Sequence, residues 1–580
     1  MTMPDDGGLA AHAELGVRAH AAPAQPGTAG PGAPASARPP GRRPSWRARA
    51  LTAAAVLAVA FGLFLCYVTV SWTVPVTSDG AGNALQAWSM LHGNWLLQGW
   101  WLSDVSFYTT ELPEYALIET VRGLTPDVVH VAAALTYTLL LLGTAWLAKG
   151  RATGRAAIAR MLLAGGIMLA PQAAGASVLL LSPDHVGSAV PVLAVLLLLD
   201  RAPPRWWVPA LTGVLLTGAL VADAVLIVTA VLPLLVICGG RVCSAAARRE
   251  PLRSRWLELS LICAAVAAVA LSRGILAIVA AHGGFTVWPT RARLVPWPRV
   301  LTHLRVIPQG LGLLFGVSTT SHGALARGLA LLHLAGLGLA IWGVGAALWR
   351  FRRLTLVDQL LASAVLINLL AYIFLTPGAM PYSARDYSAV LPLSAALAGR
   401  MAGRWLLSAR VTPVLAAVLA GYLLSLATVM AALPAQPSKA RLAHWLLAHH
   451  LDYGLGAYGS GNTTTLDTGT QVHVVVVVFR DGRCYPLAWE AQAADYDARL
   501  HDATFIVQAV STAAIRKIFG SPDHVYHVGA IKVLVWHKNL LNEVQQVSSR
   551  PGHGTPIRRG LLASPQARYG GTSVILKDFP

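Results

Sequence analysis

Three kinds of side chain in this sequence could do chemistry at the edge of an apolar phase: carboxylates just past long apolar runs, a histidine between two such runs, and arginines inside or beside them. Asp79, in Thr77-Ser78-Asp79-Gly80, directly follows the first run. A carboxylate there can take the proton of a hydroxyl attacking an anomeric carbon while a phosphate leaves; Asp is also a favoured cap for a helix over Gly80–Leu91. Glu111 and Glu114, in Tyr108-Thr109-Thr110-Glu111-Leu112-Pro113-Glu114-Tyr115, offer a second acid or ordinary solvated charge. Asp184-His185 ends a short polar turn from Ser182, where His185 could donate to a phosphate and Asp184 orient it, although Ser-Pro-Asp is also ordinary turn chemistry. Asp223 lies inside the apolar run Trp206–Cys238, a costly place for a carboxylate that marks either a site or a watery apex between two helices.

A leaving phosphate needs a cation near the outer face, and Arg273 could supply it. Arg273 sits within Leu257–Ala280, and a guanidinium matches a phosphate bidentately, although a long side chain at that depth can also snorkel to the headgroups. Arg385 stands with Tyr382 and Asp386 in Pro381–Tyr387, at the entry to another apolar run.

Apolar helices must position these residues. The 580-residue chain is 55% hydrophobic and only 12% charged, with mean hydropathy +0.56, which identifies a polytopic membrane protein rather than a soluble one. Its net charge of +19 does not form a nucleic-acid surface. The basic residues cluster between apolar runs, as in Lys149–Arg155, Arg241–Arg255 and Arg350–Arg353, where they anchor a membrane topology. The five cysteines have neither metal-site spacing nor a disulfide framework, and no GxxxxGK[ST], HExxH or GxSxG stands in a productive context.

The Ala-, Pro- and Gly-rich segment 1–48 is expected to be a disordered cytoplasmic tail. Residues 49–434 form the expected transmembrane domain, with a first outer loop at 71–127 and a second at 281–323. The second interleaves Trp288 and Trp297 with Arg291, Arg293, Arg299 and Arg305, as an interfacial segment does. Trp206–Cys238, at 33 residues, would make a helix about 50 Å long against a hydrocarbon core of about 30 Å, so it should split at Asp223. The total then becomes about eleven transmembrane helices, and every basic cluster falls inside. Residues 435–547 read as a small extracytoplasmic α/β domain, with strands at Val472–Phe479, Thr504–Gln508 and Ile531–Trp536 and helices at Ala440–His449 and Thr512–Phe519. Tyr453–Gly459 reads there as a glycine-rich turn, nothing in the domain looks catalytic, and 548–580 is a loosely ordered tail.

The Asp just past the first span, the helix ending in Met90-Leu91-His92-Gly93-Asn94-Trp95, the Thr109–Glu119 stretch, the second span after Leu124-Thr125-Pro126-Asp127 and the C-terminal outer domain together resemble the GT-C class of membrane glycosyltransferases. The likeness is to the glycosyltransferase family 39 relatives of the protein O-mannosyltransferase and aminoarabinose-transferase type. It implies an all-α polytopic membrane domain carrying a small C-terminal α/β domain. It also implies transfer of a hexosyl or pentosyl group from a polyprenyl-phosphate sugar to an extracytoplasmic glycan, lipid or protein acceptor at the plasma membrane. Asp79 is then the general base, and the Pro381–Tyr387 stretch, which resembles the Arg-Tyr-containing outer entry to a late span in such enzymes with the order Arg-Asp-Tyr, makes Arg385 a second phosphate contact unless Asp386 simply neutralises it. Where that family commonly has an acidic pair this chain has the single Asp79 between Ser78 and Gly80, which leaves room for a divalent metal but does not require one. A lipid or glycan transporter, or a non-catalytic envelope assembly protein, is the alternative; it would place its polar groups at mid-bilayer rather than at the outer ends of spans.

Overall fold

The computed structural model describes residues 46–288, 294–317, 323–375, 381–403, 411–435, 439–508 and 511–545. Helix α1 (Trp46–Ser71) is followed by α2 (Ser78–Leu91) and α3 (Glu111–Arg122), with the two-residue strand β1 (Trp100–Trp101) between them. Then come α4 (Asp127–Lys149), α5 (Gly154–Met168), α6 (Ala173–Leu179), α7 (Ala189–Arg201), α8 (Trp207–Ala222) and α9 (Leu232–Ala247). They are succeeded by α10 (Trp256–Ala281), α11 (Trp297–Leu314), α12 (Ala324–Trp349), α13 (Leu356–Leu375), α14 (Val390–Ala402) and α15 (Val411–Met430).

Seven helical segments in the described residues are long and apolar enough to cross a membrane, or eight if the bent pair α5 and α6 is one span. This falls short of the expected eleven, because several apolar runs fold as shorter pieces. Pro171 cannot continue a helix, and α5 and α6 meet at 97° across it. α8 and α14 are apolar but short, and α7 begins only at Ala189. The long run through Asp223 does divide there. α8 stops at Ala222, the Asp223 carboxylate accepts the Val225 N–H at 2.8 Å, and a π-helical turn at Ile227–Val231 leads into α9. The second outer loop contains the full helix α11, and Arg291 and Arg293 lie outside the described residues.

After α15 the chain forms a mixed α/β domain: α16 (Ala440–Ala448), β2 (Tyr453–Gly456), α17 (Gly461–Asp467), β3 (His473–Arg480), β4 (Arg483–Pro486), β5 (Ala491–Gln492), β6 (Phe505–Val507), α18 (Thr512–Phe519), β7 (His524–Val528) and β8 (Ile531–Val535). Six strands line up as β4-β3-β2-β6-β8-β7, with β2 parallel to both neighbours. The valine run of β3 reflects burial on both faces. Val475 and Val477 pack with Ile515 and Phe519 of α18, while Val474 packs with Leu442 and Leu446 of α16. Tyr453–Gly456 is therefore a central strand and not the expected turn. β1 pairs antiparallel with β5, Trp100 opposite Gln492, and so joins the first loop to this domain.

Candidate functional site

Asp79 lies in the first turn of α2, and it does not cap that helix. Thr77 is the cap, and its hydroxyl accepts the Gly80 N–H at 3.4 Å, which leaves the Asp79 carboxylate free for other partners. One oxygen accepts the Tyr458 hydroxyl. The other faces Nη1 of Arg385 at 3.6 Å, and the side chain keeps 40% of its surface exposed. Ser78 returns the connection, donating its hydroxyl to the Tyr458 carbonyl. Tyr458 itself lies on the loop between β2 and α17, and its hydroxyl also meets Glu490 Oε2 at 2.9 Å.

α17 packs directly on α2, and the approach is close enough to need a glycine. A Cβ at Gly82 would stand 2.5 Å from Glu490 Oε2 and 3.1 Å from Asn462 Nδ2. Glu490 is 3% exposed and takes φ +50°, and its burial, ahead of the nearby Asp79 and Asp184, holds its carboxyl well above the usual range.

Asp184 is built differently from Asp79. Asn83 of α2 donates to one oxygen at 2.7 Å, while the Ser182 hydroxyl at 2.6 Å and Arg385 Nη2 at 3.1 Å both reach the other. Its side chain is 4% exposed. With its lone pairs engaged and little access to water, Asp184 orients Arg385, whereas Asp79 remains the accessible carboxylate. Arg385 also donates to Ser182 Oγ at 2.8 Å, and its buried Nε has no hydrogen-bond partner among the described residues.

The next residue supplies a second cation. His185 adopts φ +59°, a left-handed backbone uncommon outside glycine, and its Nδ1 sits 2.9 Å from Asp223 Oδ2. The Ser188 hydroxyl donates to the same oxygen at 2.7 Å. Burial alone would push this imidazole down, but the Asp223 carboxylate, with Asp386 and Asp104 nearby, raises it to about 10. Burial likewise opposes the Asp223 charge, yet His185, Ser188 and the Val225 N–H together hold that carboxyl below its ordinary value. His185 Nε2 has no hydrogen-bond partner among the described residues. Burial raises Asp104 and Asp386, against the pull of His185 on each.

Glu111 is 1% exposed and packs against the turn that carries Asp184 and His185; a Cβ at Gly187 would lie 2.5 Å from Glu111 Oε1. Burial drives its carboxyl well above the carboxylate range even though the Thr110 hydroxyl donates to it. Glu114 is pushed up to about 7 by burial and accepts the Thr136 hydroxyl at 2.9 Å, so neither glutamate is ordinary loop charge. Arg273 is exposed along α10 and forms no ion pair among the described residues, and none of its contacts brings it to Asp79, Asp184 or Asp223. The Tyr382 side chain lies outside the described residues. No three His, Cys, Asp or Glu side chains are arranged to hold a metal ion among the described residues.

The fold therefore gathers Asp79, Asp184, His185, Asp223 and Arg385, with Glu111 behind the turn, and adds Tyr458, Glu490, Asn83, Ser182, Asp104 and Asp386. Tyr458 and Glu490 correct the expectation that the C-terminal domain holds nothing near the chemistry. No sequence pattern announces them, since both reach Asp79 through tertiary packing. Trp88 and Trp100 line a cavity of about 160 Å3 together with Glu490, Asn462, Gln492 and Asp495.

No family model matches the chain, and no curated protein matches it. Among solved structures, the ArnT of Cupriavidus metallidurans bound to undecaprenyl phosphate is similar, at TM-score 0.50 and 13% identity, over 83% of this chain and 97% of that one. The same ArnT in the apo state is similar at TM-score 0.42 and 15% identity, over 86% of this chain and 99% of that one. An oligosaccharyltransferase of Archaeoglobus fulgidus, tethered to an acceptor peptide, is similar at TM-score 0.43 and 13% identity, over 78% of this chain and 68% of that one. The first likeness establishes a fold shared with that ArnT.

Proposed function

We propose that this chain is a membrane glycosyltransferase that moves a sugar from a polyprenyl-phosphate donor to a hydroxyl-bearing acceptor outside the cytoplasm. The observation that carries the reading is the meeting of one accessible carboxylate with two cations that keep uncommitted donors. Asp79 is reachable, and among the described residues Arg385 retains an unpartnered Nε and His185 an unpartnered Nε2. Asp79 takes the acceptor proton as the acceptor oxygen attacks the anomeric carbon. The bond from that carbon to the phosphate oxygen breaks, and the leaving phosphate meets Arg385 and His185. Asp184 and Asp223 fix those two cations and touch neither substrate. Glu111, a buried acid behind the turn, keeps the loop in place.

Among the described residues these charged groups collect at one end of α7, α8 and α14 rather than at mid-helix, which supports a transferase over the transporter alternative. The aromatic and amide-lined cavity beside Glu490 suits the acceptor, because stacking faces and paired hydrogen-bonding groups are what sugar rings require. The test is turnover by the purified full chain against a panel of polyprenyl-phosphate sugars, with Asp79→Asn as control. Sugar release dependent on Asp79 is expected with at least one donor; binding without turnover across the panel, unchanged in Asp79→Asn, would favour a carrier role.

A further inference from the structure

Two helices that lead away from the candidate site end at a second cavity. α7 starts beside the Asp184–Ser188 turn and finishes at Arg201, and α14 follows Arg385 and runs past Arg400. At 13 residues each, they place their far ends about 20 Å from the site. There a cavity of about 620 Å3 is lined by Arg151, Arg160, Arg241, Arg400, Asp200 and Asp358.

Four guanidinium groups thus meet two carboxylates, and most of these groups are already engaged. Arg400 donates Nη2 to Asp200 at 2.9 Å and Nη1 to the Leu147 carbonyl at 2.9 Å, and its Nε pairs with Asp358. Asp358 also accepts the Thr355 hydroxyl at 2.8 Å, and the second oxygen of Asp200 lies 4.0 Å from Arg201 Nε. Arg241 donates to Glu258 at 3.1 Å and to Gln359 at 3.0 Å. Arg151 and Arg160 are left, and neither forms an ion pair among the described residues. Arg160 Nε is buried with no hydrogen-bond partner among the described residues, a costly state for a charged donor.

We propose that this cavity binds a phosphate-bearing anion through Arg160 and Arg151. Two uncommitted guanidinium groups beside an otherwise neutralised network match a phosphate's charge and its planar pairs of oxygens. A basic pocket between membrane helices is where an acidic phospholipid headgroup settles, and a free phosphate group presents the same oxygens. The inference stands apart from the transferase reading, since it uses none of its residues.

Thermal unfolding of the full chain in an uncharged detergent tests it, with added phosphatidylglycerol, phosphatidylcholine or inorganic phosphate. Phosphatidylglycerol is expected to raise the midpoint and phosphatidylcholine to leave it unmoved. An equal rise with inorganic phosphate would identify the free anion as the ligand rather than the lipid. Arg160→Gln should shift the half-saturating concentration upward about tenfold. Arg151→Gln, at an exposed position that does not threaten folding, should shift it in the same direction. No rise with either anionic probe, an equal rise with phosphatidylcholine, or an unchanged response in both variants would overturn the proposal.

Discussion

The hydroxyl of Tyr458 donates to the carboxylate of Asp79 across 379 residues of sequence, and the same hydroxyl lies 2.9 Å from Glu490. A phenol has one hydrogen and cannot satisfy two carboxylates, so one contact needs a proton from the other side. Glu490 is the member suited to carry it, since burial holds its carboxyl above the usual range. A hydrogen-bonded chain thus links Glu490 through Tyr458 to Asp79, its one exposed member.

Asp79→Asn keeps shape and removes basicity. Because Thr77 caps α2, the substitution should leave the melting temperature unchanged while turnover falls at least about a hundredfold. Steady-state kinetics beside a melting curve check this; near-normal turnover would move the base elsewhere.

Tyr458→Phe removes the shared hydrogen and should lower turnover about tenfold to a hundredfold, since a hydrogen bond to a charged group is worth about 1.5–3 kcal/mol. The acid limb of the pH profile should shift with it, a readout that loss of packing alone would not produce. Glu490→Gln retains a donor toward Tyr458 and should be milder.

The pair of His185 and Asp223 makes stability depend on pH in a defined direction. His185 is raised from 6.5 to about 10, so its contribution is complete below about 6.5 and is lost as the pH climbs through 10. Asp223 is held below its ordinary 3.8, so its contribution is present above that value and fades as the pH falls beneath it. The difference in melting temperature between wild type and His185→Gln should therefore be largest near pH 5–6 and shrink toward pH 10. A difference that stays flat would mean the imidazole carries no charge.

Gly82→Ala would place a methyl 2.5 Å from Glu490 Oε2 and 3.0 Å from its Cβ. Both atoms are buried, so α2 must move away from the C-terminal domain. Faster proteolysis of the loop between β2 and α17 and loss of turnover are expected together; unchanged cleavage would show that the contact yields without cost.

Membrane orientation is open to direct test. The basic clusters place Arg248 inside, and the reading of the C-terminal domain places Gly520 outside. Reporter fusions at the two positions should score on opposite sides.

Much of the site was legible because polar groups beside apolar runs are expensive. Asp79, Asp184, His185, Asp223 and Arg385 each interrupt or border such a run, and the fold brings all five together. Burial was not legible: Glu111 looks like loop charge until α3 packs it behind the Gly187 turn, and Arg273 looks buried in its run until α10 turns it outward. The span count was not reached for a related reason, since hydropathy records how apolar a stretch is and not where Pro171 bends it, whereas the break at Asp223 was legible from the length of its run. In the C-terminal domain the valine run predicted β3, whereas β2 was hidden by its glycines. Tyr458 and Glu490 lay beyond reach because local pattern says nothing about which loop docks against which helix.

The position of Tyr458, at the exit of β2, bears on how such a chain can be recombined. A chimaera joined after α15 would inherit a foreign tyrosine loop facing a resident Asp79, with Gly82 fitted to a neighbour it no longer has. The natural segment to transplant is discontinuous: α2 must travel with the loop from β2 to α17 and with the Glu490 turn, although hundreds of residues separate them in the gene.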